Sequence, residues 1–161
     1  MKAKLAAAAL MALCMASACL AQNAESKFYR LDFVVKDLEG GKVVNARAHS
    51  MTIETGGKAS QIRTGNRVPV TSGPNQYQYI DVGVNIDCRD AKELQNSLSL
   101  YVGADISSTA NEQNAPAPVV RQTKWSANVI VPLRKATTIF SSDDPSSKRQ
   151  TQLELTATPI M

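Results

Sequence analysis

The sequence predicts an all-β, antiparallel domain of about eight strands, built as a sandwich or a partly open barrel and preceded by an N-terminal signal peptide. Three observations carry the fold class. Apolar and polar residues alternate along several separate stretches, the period-two signature of strands buried on one side. Gly-Gly pairs and Gly/Pro/Asn clusters punctuate these stretches at hairpin spacing, where tight turns need positive φ. No stretch of the chain after the leader carries the 3.6-residue apolar period of an amphipathic helix.

Met1 to Ala24 has Lys2 and Lys4, an apolar run rich in Ala, Leu and Met, and then small residues. That is the plan of a secretory signal peptide at 1–24, with cleavage expected between Ala18 and Ala24, and a single domain at 25–161. Cys19 follows Ala16-Ser17-Ala18, so it is a candidate lipidation site beside ordinary cleavage. Removing Lys2 and Lys4 from the 18 basic residues leaves 16 against 14 acidic ones, a net charge of +2. That balance argues against nucleic acid as a partner. Cys14 and Cys19 fall in the leader and Cys88 alone remains, so no disulfide within the processed chain is expected.

Lys27 to Lys36 alternates cleanly, with Tyr29, Leu31, Phe33 and Val35 on one face. Leu38 to Gly41 is a hairpin turn into Lys42–Thr55. There Val44, Ala46 and Ala48 share one face while Met51 and Ile53 share the other, so a bulge is expected near Ser50. A second turn, Thr55 to Lys58, leads into a strand from Ala59 to Thr64, a Gly65-Asn66 turn or bulge, and a further extended piece from Arg67. Pro69 has no amide to donate, which places it at an edge or a strand start. After the Ser72–Asn75 loop, Tyr77 to Arg89 puts Ile80, Val82, Val84, Ile86 and Cys88 on one face. Asp90 to Asn96 reads as a charged connection with at most one helical turn. Ser97–Ile106 is the most regular strand, Ser107–Pro118 a loop, and Val119–Leu133 a strand with Trp125, Ala127, Val129 and Val131 inward. A short strand from Ala136 to Phe140, a polar loop Ser141–Arg149 and a last strand Thr151–Thr158 complete the domain.

The central hairpin carries a resemblance. Arg63-x-Gly65-x-x-Val68-Pro69, followed after a loop by Tyr79-x-Asp81-Val82-Gly83-Val84-x-Ile86, resembles the opening hairpin of the secretin domain. Secretins are the outer-membrane gates of type II and type III secretion and of type IV pilus machines. The resemblance covers residues 59–106 well and 119–160 loosely, including a closing Thr158-Pro159. It implies a shortened secretin-like domain, because nothing in Ser107–Arg149 matches the family's Pro/Gly-rich gate. The function implied is that of an exported, non-catalytic envelope protein, an accessory or relative of those machines. The alternative is a free-standing periplasmic binding module. A protein partner is expected, and no membrane span in the mature form.

Candidate chemistry is sparse. His49 stands alone and reads as a solvent-facing strand residue; a structural zinc site wants four ligands. Cys88 is in phase with Val84 and Ile86 and reads as an inert core thiol. Asp143-Asp144 lacks the spacing of a calcium loop. No acid–base pair, phosphate loop or nucleophile motif occurs, so neither catalysis nor a cofactor is expected. Tyr77, Tyr79 and Tyr101 lie opposite the aliphatic stripes of their strands, either as an exposed interaction patch or as the cover of a second sheet.

Overall fold

The computed structural model describes residues 26–73, 76–110, 119–145 and 147–160. The leader and Cys19 lie outside the described residues. Eight strands are seen among them: β1 (Phe28–Glu39), β2 (Lys42–Glu54), β3 (Ser60–Gly73), β4 (Gln76–Leu94), β5 (Ser97–Ala110), β6 (Val119–Pro132), β7 (Thr137–Asp143) and β8 (Arg149–Ile160). They form two four-stranded sheets, β2-β1-β8-β7 and β3-β4-β5-β6, with every neighbouring pair antiparallel. The fold is therefore a sandwich and not a closed barrel. The chain's first two strands and its last two make one sheet, and the central meander makes the other.

Alternation explains the packing. Tyr29, Leu31, Phe33 and Val35 of β1 and Leu153, Leu155 and Ala157 of β8 point toward the second sheet. They meet Val84, Ile86 and Cys88 of β4 and Leu98, Leu100 and Val102 of β5, all essentially without solvent exposure. Trp125 and Phe140 flank this core, ring centroids 5.4 Å apart, and join β6 to β7 across the sheets. Burial of this apolar surface holds the sheets together, at roughly 25 cal/mol per Å2.

The chain crosses between sheets twice, and each crossing is fastened. After β2, the Gly56 amide donates to the Ala91 carbonyl. After β6, Leu133 and Arg134 donate to the carbonyls of Asn96 and Ala157, so this turn touches both sheets. Arg134 takes φ +59° there. A polar clasp adds to the first crossing: Lys27 Nζ lies 2.5 Å from Glu93 Oε2, and the Tyr29 hydroxyl also bonds Glu93. The hydrogen bond from Lys27 holds the Glu93 carboxyl below its ordinary range.

Several local expectations are corrected. Asp90–Asn96 contains no helical turn. β4 runs on to Leu94, interrupted by a bulge between Arg89 and Lys92 where Asp90 takes φ +57°. That extra residue turns Ala91 into the core, and Gln95-Asn96 makes the hairpin. No bulge lies near Ser50, because β1 and β2 pair without a break from Phe28↔Glu54 to Asp37↔Asn45. The irregularity comes after Asp37, at the Val44 end. Gly65-Asn66 is no turn; β3 passes straight through it. β5 extends beyond Ile106 to Ala110, and β7 extends to Asp143. Pro69 does sit on an edge strand, β3, where its missing amide breaks no ladder bond.

Gly65 and Gly83 face each other across β3 and β4. A Cβ on Gly83 would stand 2.0 Å from the Thr64 carbonyl oxygen, and one on Gly65 2.4 Å from that of Val82. Both contacts are with backbone, so only a shift of the strands would relieve them. Gly83→Ala is therefore expected to destabilise the fold by about 3 kcal/mol, the upper end of overpacking costs. Urea unfolding of the variant checks this, and a midpoint equal to the parent's would contradict the close approach.

Candidate interaction surface

The residues singled out in the sequence meet on the β3–β4 hairpin, but their side chains divide between two faces. Val84 is buried, Val68 and Val82 are half-buried, and all three point to the inner side. Arg63, Pro69, Tyr79 and Asp81 point outward. Arg63 donates to Asp87 Oδ1 at 2.6 Å, and Arg67 donates to Asp81 Oδ1 at 2.9 Å. The motif's Arg63 and Asp81 are therefore not partners of each other. Each closes an exposed cross-strand ion pair, and such pairs are weak individually. Farther along the face, Asp105 accepts from Gln122 at 2.9 Å and faces Lys124 at 3.4 Å.

Tyr77 and Tyr79 are 67% and 63% exposed, beside Pro69 near the end of the hairpin. No second sheet covers them. Tyr101 shares their face but not their neighbourhood. It pairs with Arg89, whose guanidinium carbon lies 4.3 Å from its ring centroid. Arg89 lies ten positions along β4 from Tyr79, roughly 33 Å at strand rise. The three tyrosines thus form a pair and a remote single residue, because a strand carries same-face residues apart along its length.

The outer face of the first sheet is polar as well. Lys36 pairs with Glu154 at 2.5 Å, Arg30 with Asp32 at 2.9 Å, and Ser50 donates to Asp32. Each sheet ends in two open edges, β2 and β7 on one, β3 and β6 on the other. Val43 and Val44 on β2 and Ile130 on β6 are exposed apolar residues on these edges.

His49 corrects its sequence reading. The β1–β2 register sets it opposite Phe33, on the face turned toward the other sheet, and its Nε2 is buried without a hydrogen-bond partner. Arg47, two residues away on the same side, reaches Asp37 at 3.1 Å while its Nε is likewise buried and unpaired. A bulge near Ser50 would turn His49 outward; the unbroken register with β1 turns it inward. Arg47 and Asp37 line one end of a cleft of about 710 Å3 between the first sheet and β5–β6, with Arg121 and Asp143 also on its walls. Its charges are mixed. No group of three or more His, Cys, Asp or Glu able to hold a metal occurs among the described residues. Ser107, read as the start of a loop, is a buried residue of β5; the alternation gave no sign of it, because its phase assigns it to the outward face.

No family model matches the chain, and no curated protein matches it significantly. Solved structures do. The type II secretion secretin GspD of E. coli K12 superposes with a TM-score of 0.52 at 11% identity, over 84% of this chain and 48% of that one. The Salmonella SPI-1 injectisome secretin InvG gives 0.52 at 8% identity, over 84% and 64%. Klebsiella pneumoniae PulD, solved with PulS and the PulC HR domain, gives 0.54 at 8%, over 84% and 39%. The fold is that of the secretin domain, and the chain spans about half the length of the GspD chain it matches.

Two predictions come from the inner side chains. Burial pushes the Cys88 thiol up to about 12, with Asp87 adding to the effect. Cys88 should resist maleimides in the native state and react on unfolding, and Cys88→Ser should cost about 1–3 kcal/mol by burying a hydroxyl. Burial, then the charge of Arg47, lowers the pKa of His49 from its ordinary 6.5. A lowered value means the fold prefers neutral imidazole. That preference is fully kept above the unfolded value and lost as pH falls from there through the folded one. Denaturation midpoints should therefore drop on acidification below pH 6.5, and His49→Gln should flatten that part of the profile.

Proposed function

We propose that this protein is an exported, non-catalytic component of the bacterial cell envelope that serves secretion or pilus machinery by joining a protein partner edge to edge. The observation that carries this reading is the pair of open sheets. In each, four antiparallel strands leave edge strands running in opposite directions, β2 against β7 and β3 against β6. A strand from a neighbour, or from a second copy, continues the antiparallel pattern at either side. Long uncovered edges present rows of unpaired N–H and C=O groups, which is the basis of recognition by strand addition. The secretin fold supports the machinery, and the PulD structure holds further proteins beside the secretin.

The outer faces argue against a lipid-facing barrel built by this chain alone. A membrane barrel shows lipid an apolar band with aromatic girdles. Here the outward rows carry Arg63, Asp87, Asp105 and Lys124 on one sheet and Lys36, Asp32 and Glu154 on the other. The polar faces suit water or protein. Export rests on the Lys2/Lys4 leader, with cleavage before residue 25 and lipidation of Cys19 as its variant.

Intact mass and affinity capture from the envelope fraction test the reading together. The expected result is a chain beginning between residues 19 and 25, free of detergent requirement, that brings down secretin or pilus subunits. A chain still starting at Met1, or one that conducts in planar bilayers by itself, would overturn it.

A further inference from the structure

The β3-β4-β5-β6 sheet does not stay whole along its length. β3 and β4 pair from Ser60↔Cys88 to Gly73↔Gln76, and β5 and β6 pair from Ser97↔Pro132 to Ala110↔Val119. Between them, β4 and β5 pair only as far as Val84↔Ile106. Beyond that point the sheet forks into two two-stranded ribbons. One carries Arg67, Pro69, Tyr77 and Tyr79; the other begins at Ser107.

The fork has a defined chemistry. Continuing the register by one pair would set Gly83 against Ser107, each the other's next ladder partner. Instead the Gly83 amide donates to the Ser107 hydroxyl at 2.9 Å, and the same Oγ lies 3.4 Å from the Gly83 carbonyl oxygen. A side chain has taken the bond that its own backbone would have made. Ser107 is 4% exposed, the buried polar residue of the described core, although its phase along β5 assigns it to the outward face with Asp105. Gly83 is meanwhile held from the other side, where β3 approaches too closely for any Cβ. Three residues therefore meet at one level: Gly65, Gly83 and Ser107.

We infer that Ser107 is a latch that sets where this sheet divides, and so fixes the pose of the β3–β4 ribbon relative to the sandwich. An isolated two-stranded ribbon is marginal in water, so its first bond to the body governs its motion. The hydroxyl satisfies the Gly83 amide while the β5 backbone turns away. Without it the amide at the fork loses its partner, and the division moves into the sandwich toward Val84 and Ile106. Ser107 acts through Gly83 and is a positioning residue. If the ribbon's exposed tyrosines take part in the partner contact proposed above, the latch sets their presentation. The latch itself does not depend on that contact.

Amide hydrogen exchange on the purified processed chain, followed residue by residue, tests this. In Ser107→Ala, the Gly83 amide should exchange roughly five- to tenfold faster than in the parent, the size expected for one lost hydrogen bond. Asp105, whose backbone groups face β4 in the next bonded pair, Asn85↔Asp105, should follow in the same direction. Amides of Ile86 and Val102, deep in the same strands, serve as the reference for global stability and should change far less. Ser107→Thr keeps the hydroxyl and should keep Gly83 protected. Equal acceleration of Gly83 and the reference amides would reduce Ser107 to general packing and overturn the latch. So would a Gly83 amide that becomes slower in the alanine variant, since the ladder would then have closed where the hydroxyl had stood. A threonine variant exchanging as fast as alanine would overturn it as well. A chain that captures no envelope partner yet shows the expected exchange pattern would reject the proposed function and leave the latch standing.

Discussion

Everything in this domain depends on one apolar interface, the stripe of Tyr29, Leu31, Phe33 and Val35 pressed against β4 and β5 of the opposite sheet. Among the described residues no disulfide shares the load, because Cys88 is a free thiol inside that interface. A domain of this size can hold itself by burial alone, since chains near this length remove about two thirds of their surface from water. The consequence is that polar groups are pushed to the periphery, where they serve as fastenings. The Lys27–Glu93–Tyr29 clasp and the two carbonyl-bonded crossings sit at the rim of the sandwich and tie chain segments far apart in sequence.

Filling the space between the sheets leaves their sides open. Eight strands divided evenly give four edges among the described residues. The edges are blunted instead. β3 carries Pro69, and β2 turns Arg47 and His49 inward, a common means of discouraging indiscriminate pairing. Edges so guarded discourage indiscriminate strand addition. The likeness to secretin structures is a likeness of fold at low identity.

The same economy explains the fork. Four long strands with right-handed twist tend to diverge along their length, and the β3–β4 and β5–β6 ribbons both run on past the last β4–β5 pair. Past Val84↔Ile106 each hairpin keeps its local partner, and β4 and β5 no longer pair with each other. Glycines at 65 and 83 allow the close approach on one side, and the Ser107 hydroxyl covers the exposed amide on the other.

The sequence by itself determined the class of fold, the number of strands and which residues of β1, β5, β6 and β8 face inward, because side-chain alternation is a property of the strand and survives any arrangement of sheets. It also determined that Cys88 is buried, from its phase with Val84 and Ile86. Tertiary structure alone decided the rest. The bulge at Arg89–Lys92, the inward turn of Arg47 and His49, the separation of Tyr101 from Tyr77 and Tyr79, and the bond between Ser107 and Gly83 all depend on register between strands. Register is set by which partner lies alongside, and a one-residue shift reverses every face. A single chain's pattern specifies its own two faces; it takes the neighbouring strand to say where along its length each residue is met, and by what.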